Sequence, residues 1–221
     1  MITVPEETKR IIERSRYLVE AMSKDLINYS SLARYIKPEI EKSLMKSVSE
    51  ASIIMAIKRI AEDLKPKFVP LTIFTGTPDM IVRSNLVEFT VKNEQSLRKK
   101  YKELSELYSD EKKYFFTLTE GVFETTIIVS QDVRDNIKSI LKNEHILSEV
   151  NNLSSITIRL PKENVETPGV YYFFLKSLAW EGINILEIVS TPNEVSLILD
   201  DKDVNAAFAI LKSLFLIQNL A

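Results

Sequence analysis

Ser155-Ile156-Thr157-Ile158-Arg159-Leu160 alternates apolar and polar side chains, the pattern of a half-buried strand. The loop Lys162-Glu163-Asn164-Val165-Glu166-Thr167-Pro168-Gly169-Val170 then leads into a strongly apolar helix, Val170 to Trp180, that stops at Gly182. Pro168 suits a first helical turn, where its missing N–H has no partner to lose. Gly169 lets backbone lie close to a neighbouring strand or a small ligand. The β-branched run Ile183 to Val189 predicts a second strand, Thr191-Pro192-Asn193 a turn, and Glu194 to Leu199 a third strand. Asp201 or Asp203 can cap a last helix, Val204 to Phe215. The order β-α-β-β-α is most of a ferredoxin-like unit.

The residues Thr167-Pro168-Gly169-Val170, Leu178-Ala179-Trp180-Glu181-Gly182-Ile183-Asn184-Ile185, Ser190-Thr191-Pro192 and Glu194-Val195-Ser196 together resemble the ACT domain, in the version found in the regulatory half of aspartokinases. The resemblance implies a module that binds a free amino acid and performs no chemistry of its own. It places the ligand against Asn164, Val165, Glu166, Thr167, Pro168, Gly169 and Val170, and against Ile183, Asn184 and Ile185. Asn184 matches the family's Asn, whereas Glu166 stands where many amino-acid-binding members have Asp. ACT units usually pack side by side, so the resemblance also implies pairing within the chain or in a homodimer. Leu216 to Ala221 is short for a fourth strand, and an open sheet edge invites a second copy; the same residues could instead be that strand.

The preceding segment repeats this logic. Leu86 to Val91 alternates as a strand, Glu94 to Tyr108 is a charged helix, and Lys113 to Thr119 with Val122 to Val129 forms a hairpin around Glu120-Gly121. Asp132 to Leu141 is a second helix, so β-α-β-β-α recurs at a period of about seventy residues. Lys92-Asn93-Glu94-Gln95 replaces Pro-Gly before the first helix, which makes this copy a packing partner rather than a ligand site.

Residues 1–84 read as a helical domain. Glu7 to Asp25 is one amphipathic helix, a second is capped by Ser30 or Ser31 and runs to Met45, and a third runs from Ser49 to Asp63. Pro38 falls early enough in the second helix to kink or restart it. Phe68 to Thr77 and Met80 to Val91 follow as strands around Gly76-Thr77-Pro78-Asp79. Three helices and a hairpin suggest a winged helix-turn-helix. Its reading face would carry Lys46, Ser49, Ser52, Lys58 and Arg59, with Arg83 on the wing, facing double-stranded DNA. The alternative is a plain three-helix bundle with a solvated basic face. Thr8 to Lys67 holds thirteen Lys/Arg against eight Asp/Glu, the remainder sixteen against twenty-three, so positive charge concentrates in the helical part.

The 221 residues are 45% hydrophobic and 27% charged, enough for packed cores. The absence of cysteine excludes disulfides and thiolate metal sites, and a lone His145 excludes a multi-histidine centre. No catalytic constellation, metal site or cofactor loop is expected, and the four glycines cannot build a dinucleotide loop. No apolar run reaches membrane-spanning length, so a cytoplasmic, non-membrane protein is the expectation. The sequence therefore predicts an α+β chain: a three-helix, winged-helix-like domain (1–84), a degenerate ferredoxin-like βαββαβ (ACT-like) unit (85–150) and an ACT unit (151–221). Three functions fit: an amino-acid-responsive transcriptional regulator, a non-catalytic regulatory or assembly subunit of a biosynthetic enzyme, and a dimerisation scaffold without ligand.

Overall fold

A computed structural model describes residues 2–63, 73–106 and 114–218. The chain divides into two compact units, Met1–Val69 and Pro70–Ala221, with separate hydrophobic clusters.

In the first unit, α1 (Val4–Arg14) starts on a capping box: Thr3 accepts from the Glu6 N–H, and the Glu6 carboxylate accepts from the Thr3 N–H. The single helix expected over Glu7 to Asp25 is two. Ser15 takes extended angles (φ −103°, ψ 99°), and α2 (Arg16–Ser23) restarts beyond it. α3 (Tyr29–Leu44) is capped by Asn28, whose side chain accepts from the Ser31 N–H, slightly ahead of the expected serines. Pro38 therefore sits mid-helix, and the helix runs through it to Leu44. Met45 closes α3 in the left-handed region, and α4 (Glu50–Asp63) follows. Ile11, Ile12, Met22, Ile36, Ile40 and Ile53 form the core of this unit.

The second unit is built on a six-stranded antiparallel sheet. Its strands are β1 (Met80–Lys92), β2 (Phe116–Glu120), β3 (Glu124–Ser130), β4 (Ile146–Arg159), β5 (Glu187–Thr191) and β6 (Glu194–Asp200), in the order β2-β3-β1-β4-β6-β5. α5 (Gln95–Glu106) and α6 (Arg134–Ile140) serve the first βαββα half, and α7 (Val170–Trp180) and α8 (Val204–Gln218) the second. Val87, Phe89, Ile127 and Val129 face α5 and α6, while Ile156, Ile158, Val195 and Leu197 face α7 and α8. Met80 opposite Ile158 and Val91 opposite Ile146 join these clusters, and Phe89 lies opposite Glu149, which bonds to Arg134 of α6. Directly paired residues point to one side of a sheet, so all four helices cover the same face. Leu86, paired with Leu153, lies with Ile128 and Ile198 in a cluster on the other face that contains no helix residue.

The two halves are related by the central pair. Asn85 and Asn152, sixty-seven residues apart and each followed by leucine, take left-handed angles (φ 62° and 58°). There the β1–β4 register shifts. Met80 to Arg83 pairs with the later part of β4, and Glu88 to Val91 with its earlier part. Each long strand thus opens one half and supplies the fourth strand of the other, passing straight through the sequence boundaries at 84–85 and 150–151. The C-terminal half therefore has its fourth strand from β1, and the open edge expected there is closed. Leu216 lies in α8 rather than in a strand.

The expected wing does not form. Met80–Lys92 is a central strand bonded to β3 and β4, and Ile73 to Thr77 holds no strand; the rest of that expected strand lies outside the described residues. Phe74 is instead drawn into the second half's core, edge-on to Phe174 (6.2 Å) and Phe215 (5.0 Å). Burying its large ring there outweighs a solvated hairpin.

Candidate functional site

The loop between β4 and α7 is tied down at both ends. The Leu160 N–H donates to the Asn193 carbonyl at the β5–β6 hairpin tip (2.7 Å). Lys162–Glu166 then forms a 3₁₀ turn, and the Thr167 hydroxyl donates to the Glu163 carbonyl (2.7 Å). Gly169 precedes α7 at φ 90°, where an L side chain is strained. The first N–H groups of α7 have no partner within the helix, which suits a carboxylate. Asn164 is buried at the centre of the turn, and its side-chain oxygen has no hydrogen-bond partner among the described residues. Val165, Glu166 and Pro168 are exposed, and Val170 is buried under the helix.

The other expected ligand residues lie elsewhere. The Ile183 N–H donates to the Leu178 carbonyl, which places Ile183, Asn184 and Ile185 at the far end of α7. Eleven residues of helix separate the two groups by about 16 Å. Asn184 is exposed, Ile183 and Ile185 pack on the second half's core, and the strand expected from Ile183 begins only at Glu187. The structure thus gathers Asn164 to Val170 at one end of α7 and leaves Asn184 at the other.

A pocket of about 180 Å³ adjoins the start of the loop, between the segment Ile73–Asp79 and the strand end Arg159–Pro161. A second, of about 270 Å³, occupies the equivalent place in the first half, beside Asn93–Gln95, Arg98, Tyr101, Glu120 and Val122. The second is knitted by polar contacts. Arg98 Nε donates to Glu120 Oε1 (2.9 Å), the Tyr101 hydroxyl to Glu120 Oε2 (3.1 Å), and Thr125 Oγ1 to Asn93 Oδ1 (2.6 Å). Asn93 Nδ2 donates to the Gly121 carbonyl (2.7 Å). Hydrogen bonds from Arg98 hold the Glu120 carboxyl below its ordinary range. This half lacks Pro-Gly, and its polar cluster carries no contiguous motif, since its members come from separate elements of the chain.

On the helix-free sheet face, Glu88 is buried with one carboxylate oxygen unpartnered. Burial, then the charge of Glu187, raises its pKa. Among the described residues no group of three His, Cys, Asp or Glu could hold a metal, and no helix is long and apolar enough to cross a membrane.

The candidate DNA contacts divide between the units. Lys46, Ser49, Ser52, Lys58 and Arg59 are exposed in the first unit. The two serines are engaged in starting α4: the Ser52 N–H donates to Ser49 Oγ (3.2 Å) and Ser52 Oγ to the Ser49 carbonyl (2.7 Å). Arg83 lies in the other unit, opposite Ser155 in the central strand pair, rather than on a wing.

No family model matches the sequence, and no curated protein does. The fold does have counterparts among solved structures. Aspartate kinase from Clostridium acetobutylicum matches with a TM-score of 0.52 at 17% identity, over 63% of this chain and 35% of the enzyme. The chain therefore spans about a third of that protein. The regulatory subunit of aspartate kinase from Thermus thermophilus, in a ligand-free form, matches with a TM-score of 0.50 at 15% identity, over 62% of this chain and 97% of the subunit. A structure of aspartokinase alpha and beta subunits matches with a TM-score of 0.50 at 14% identity, over 62% and 92%. The matched share is about twice the length of Met1–Val69, so about half of it or more lies in the sheet-bearing unit. That unit has an ACT-like fold.

Proposed function

We propose that the chain is a non-catalytic regulatory or assembly subunit that senses a free amino acid and conveys its presence to an enzyme of amino-acid biosynthesis. In this reading the sheet-bearing unit is a fused pair of ACT units, the helical unit is the docking module, and the effector binds beside the loop that starts α7. The observation that carries the reading is the pairing of two βαββα halves in one sheet, matched over nearly the whole of a stand-alone regulatory subunit. The Asn164 oxygen, buried and without a partner, supports a ligand at that loop.

A thermal-shift screen of the twenty amino acids tests it. A ligand selective for the folded state raises the melting temperature, and Gly169→Val is expected to abolish the rise. Flat curves for every amino acid would leave a scaffold. Affinity capture should retrieve an amino-acid biosynthetic enzyme whose inhibition depends on the stabilising amino acid.

A second reading, a DNA-binding regulator that homodimerises through the ACT units, draws on one observation. Lys46 is exposed in the turn joining α3 and α4, and Lys58 and Arg59 are exposed on the later half of α4. An electrophoretic shift that is sequence-specific and falls steeply with salt would favour it; no shift would remove it.

A further inference from the structure

The two halves clothe one sheet face with helices of opposite character. Every exposed residue of α5 is polar, with Arg98, Lys99, Lys102, Glu103 and Glu106 charged. By contrast, α7 and α8 are apolar on all sides and carry two charged residues between them, Lys176 and Lys212. A helix that is apolar all round is ordinarily buried all round. Here one side alone is buried. Phe174 and Leu178 of α7 and Ala207, Leu211 and Phe215 of α8 enter the core, while Tyr172, Ala179, Trp180, Ala206, Ala209 and Leu216 are exposed. Trp180 keeps 79% of its surface open. The two helices follow antiparallel strands, β4 and β6, and pack on each other, so they lie antiparallel with adjoining outer surfaces. Lys176 lies over the Tyr172 ring (5.5 Å) and Lys212 over the Phe208 ring (5.9 Å). Neither helix contains Asp or Glu; Glu181 and Asp203 stand just beyond them, both at the Trp180 end. Over its middle the layer therefore presents apolar side chains and cations.

We propose that the outer face of α7 and α8 docks an amphipathic helix of another protein, one whose apolar stripe is flanked by Asp or Glu. Two helices side by side leave a groove that accepts the side-chain ridge of a third. Ala206, Ala209 and Ser213, spaced i, i+3 and i+7 along α8, let that helix approach closely. Tyr172 and Trp180 supply aromatic anchors, the residue types that carry most of the energy at such contacts. The lysines decide the occupant. Carboxylates beside the incoming stripe would meet Lys176 and Lys212, whereas a second copy turned onto this face would bring lysine toward lysine with no acid between them, an arrangement that selects against a partner. Docking here needs no bound effector, because it uses the outer sides of the helices and not the loop before α7.

Trp180 is the only tryptophan of the chain, so its emission reports occupancy of this face. The test takes the full chain and two tryptophan-free helical peptides with the same Leu/Ala stripe, one flanked by Glu and the other by Lys. The Glu-flanked peptide should shift Trp180 emission to the blue and slow hydrogen exchange at 171–180 and 205–216. At low salt it should bind about tenfold more tightly than its Lys-flanked twin, and added salt should narrow the gap. Lys176→Glu combined with Lys212→Glu should reverse the preference. Ala209→Arg, at an exposed position, should weaken both peptides, with far-ultraviolet spectra unchanged in every variant. Binding of neither peptide, equal binding of both, or protection confined to other segments would overturn the docking face. A concentration-dependent dimer of the chain alone that blue-shifts Trp180 would overturn it in favour of a second copy.

Discussion

The two halves of the sheet-bearing unit share a topology and solve its loops in opposite ways. In the first, β1 passes into α5 through Asn93 and Glu94, and the junction is locked by Asn93, Tyr101, Thr125, Glu120 and Arg98. In the second, ten residues separate β4 from α7, with a 3₁₀ turn, a proline, a left-handed glycine and a buried asparagine oxygen that no described residue satisfies. One junction is cross-linked by side-chain hydrogen bonds; the other holds a buried acceptor with no partner among the described residues. A fold duplicated in one chain can assign one copy to rigidity and leave the other able to accept a ligand.

The largest effect should come from the feature with no counterpart in the first half. Phe74→Ala removes a buried ring from a three-ring contact and should cost about 3–5 kcal/mol of unfolding free energy, measured by chemical denaturation. A cost under about 1 kcal/mol would place Phe74 outside the core. Next, Thr125→Val keeps the shape of a fully buried residue but strips partners from Asn93 and Tyr101. It should destabilise by about 1–3 kcal/mol without altering amino-acid binding, if the first half is the rigid one. Gly169→Ala tests the second junction, since φ 90° disfavours any L side chain. A loss of about 1–2 kcal/mol is expected.

The smallest effect concerns the helix-free face, where Glu88 stands at the position that the second half fills with Ser155. Burial and Glu187 raise the Glu88 pKa above the ordinary 4.5, so the native state holds this proton more tightly than the unfolded chain does. The stability so gained is complete below pH 4.5 and is lost as pH rises through the raised value. Glu88→Gln should therefore raise the melting temperature at neutral pH and converge with the parent as pH falls toward 4.5. A constant offset at every pH would show that Glu88 carries no buried charge.

Much of the architecture is legible in the residues. The Val170–Trp180 helix, the Glu194 strand and the helix from Val204 begin where apolar spacing and alternation place them, because those signals are local. The caps differ: Pro168 lies ahead of α7, whose N-cap is Gly169, and Asp200 rather than Asp201 or Asp203 caps the 3₁₀ turn before α8. The repeat also shows, in spacing and in the Asn85-Leu86 and Asn152-Leu153 pairs. What local patterns cannot reveal is partnership. Met80 to Val91 reads as a strand in any setting, but only the assembled sheet shows that it lies between β3 and β4 rather than in a wing. Asn184 and Asn164 are joined by the family pattern and separated by the length of a helix. Arg159 and Asp79, eighty residues apart, become neighbours only through antiparallel pairing, and neither has a local motif.

The sharing of β1 and β4 carries a consequence for genetic dissection. A fragment starting at Leu86 deprives the second half of a strand, and one ending at Leu141 deprives the first. Neither half can be excised as a domain, so Pro70–Ala221 is the smallest piece that a deletion series can hope to purify intact.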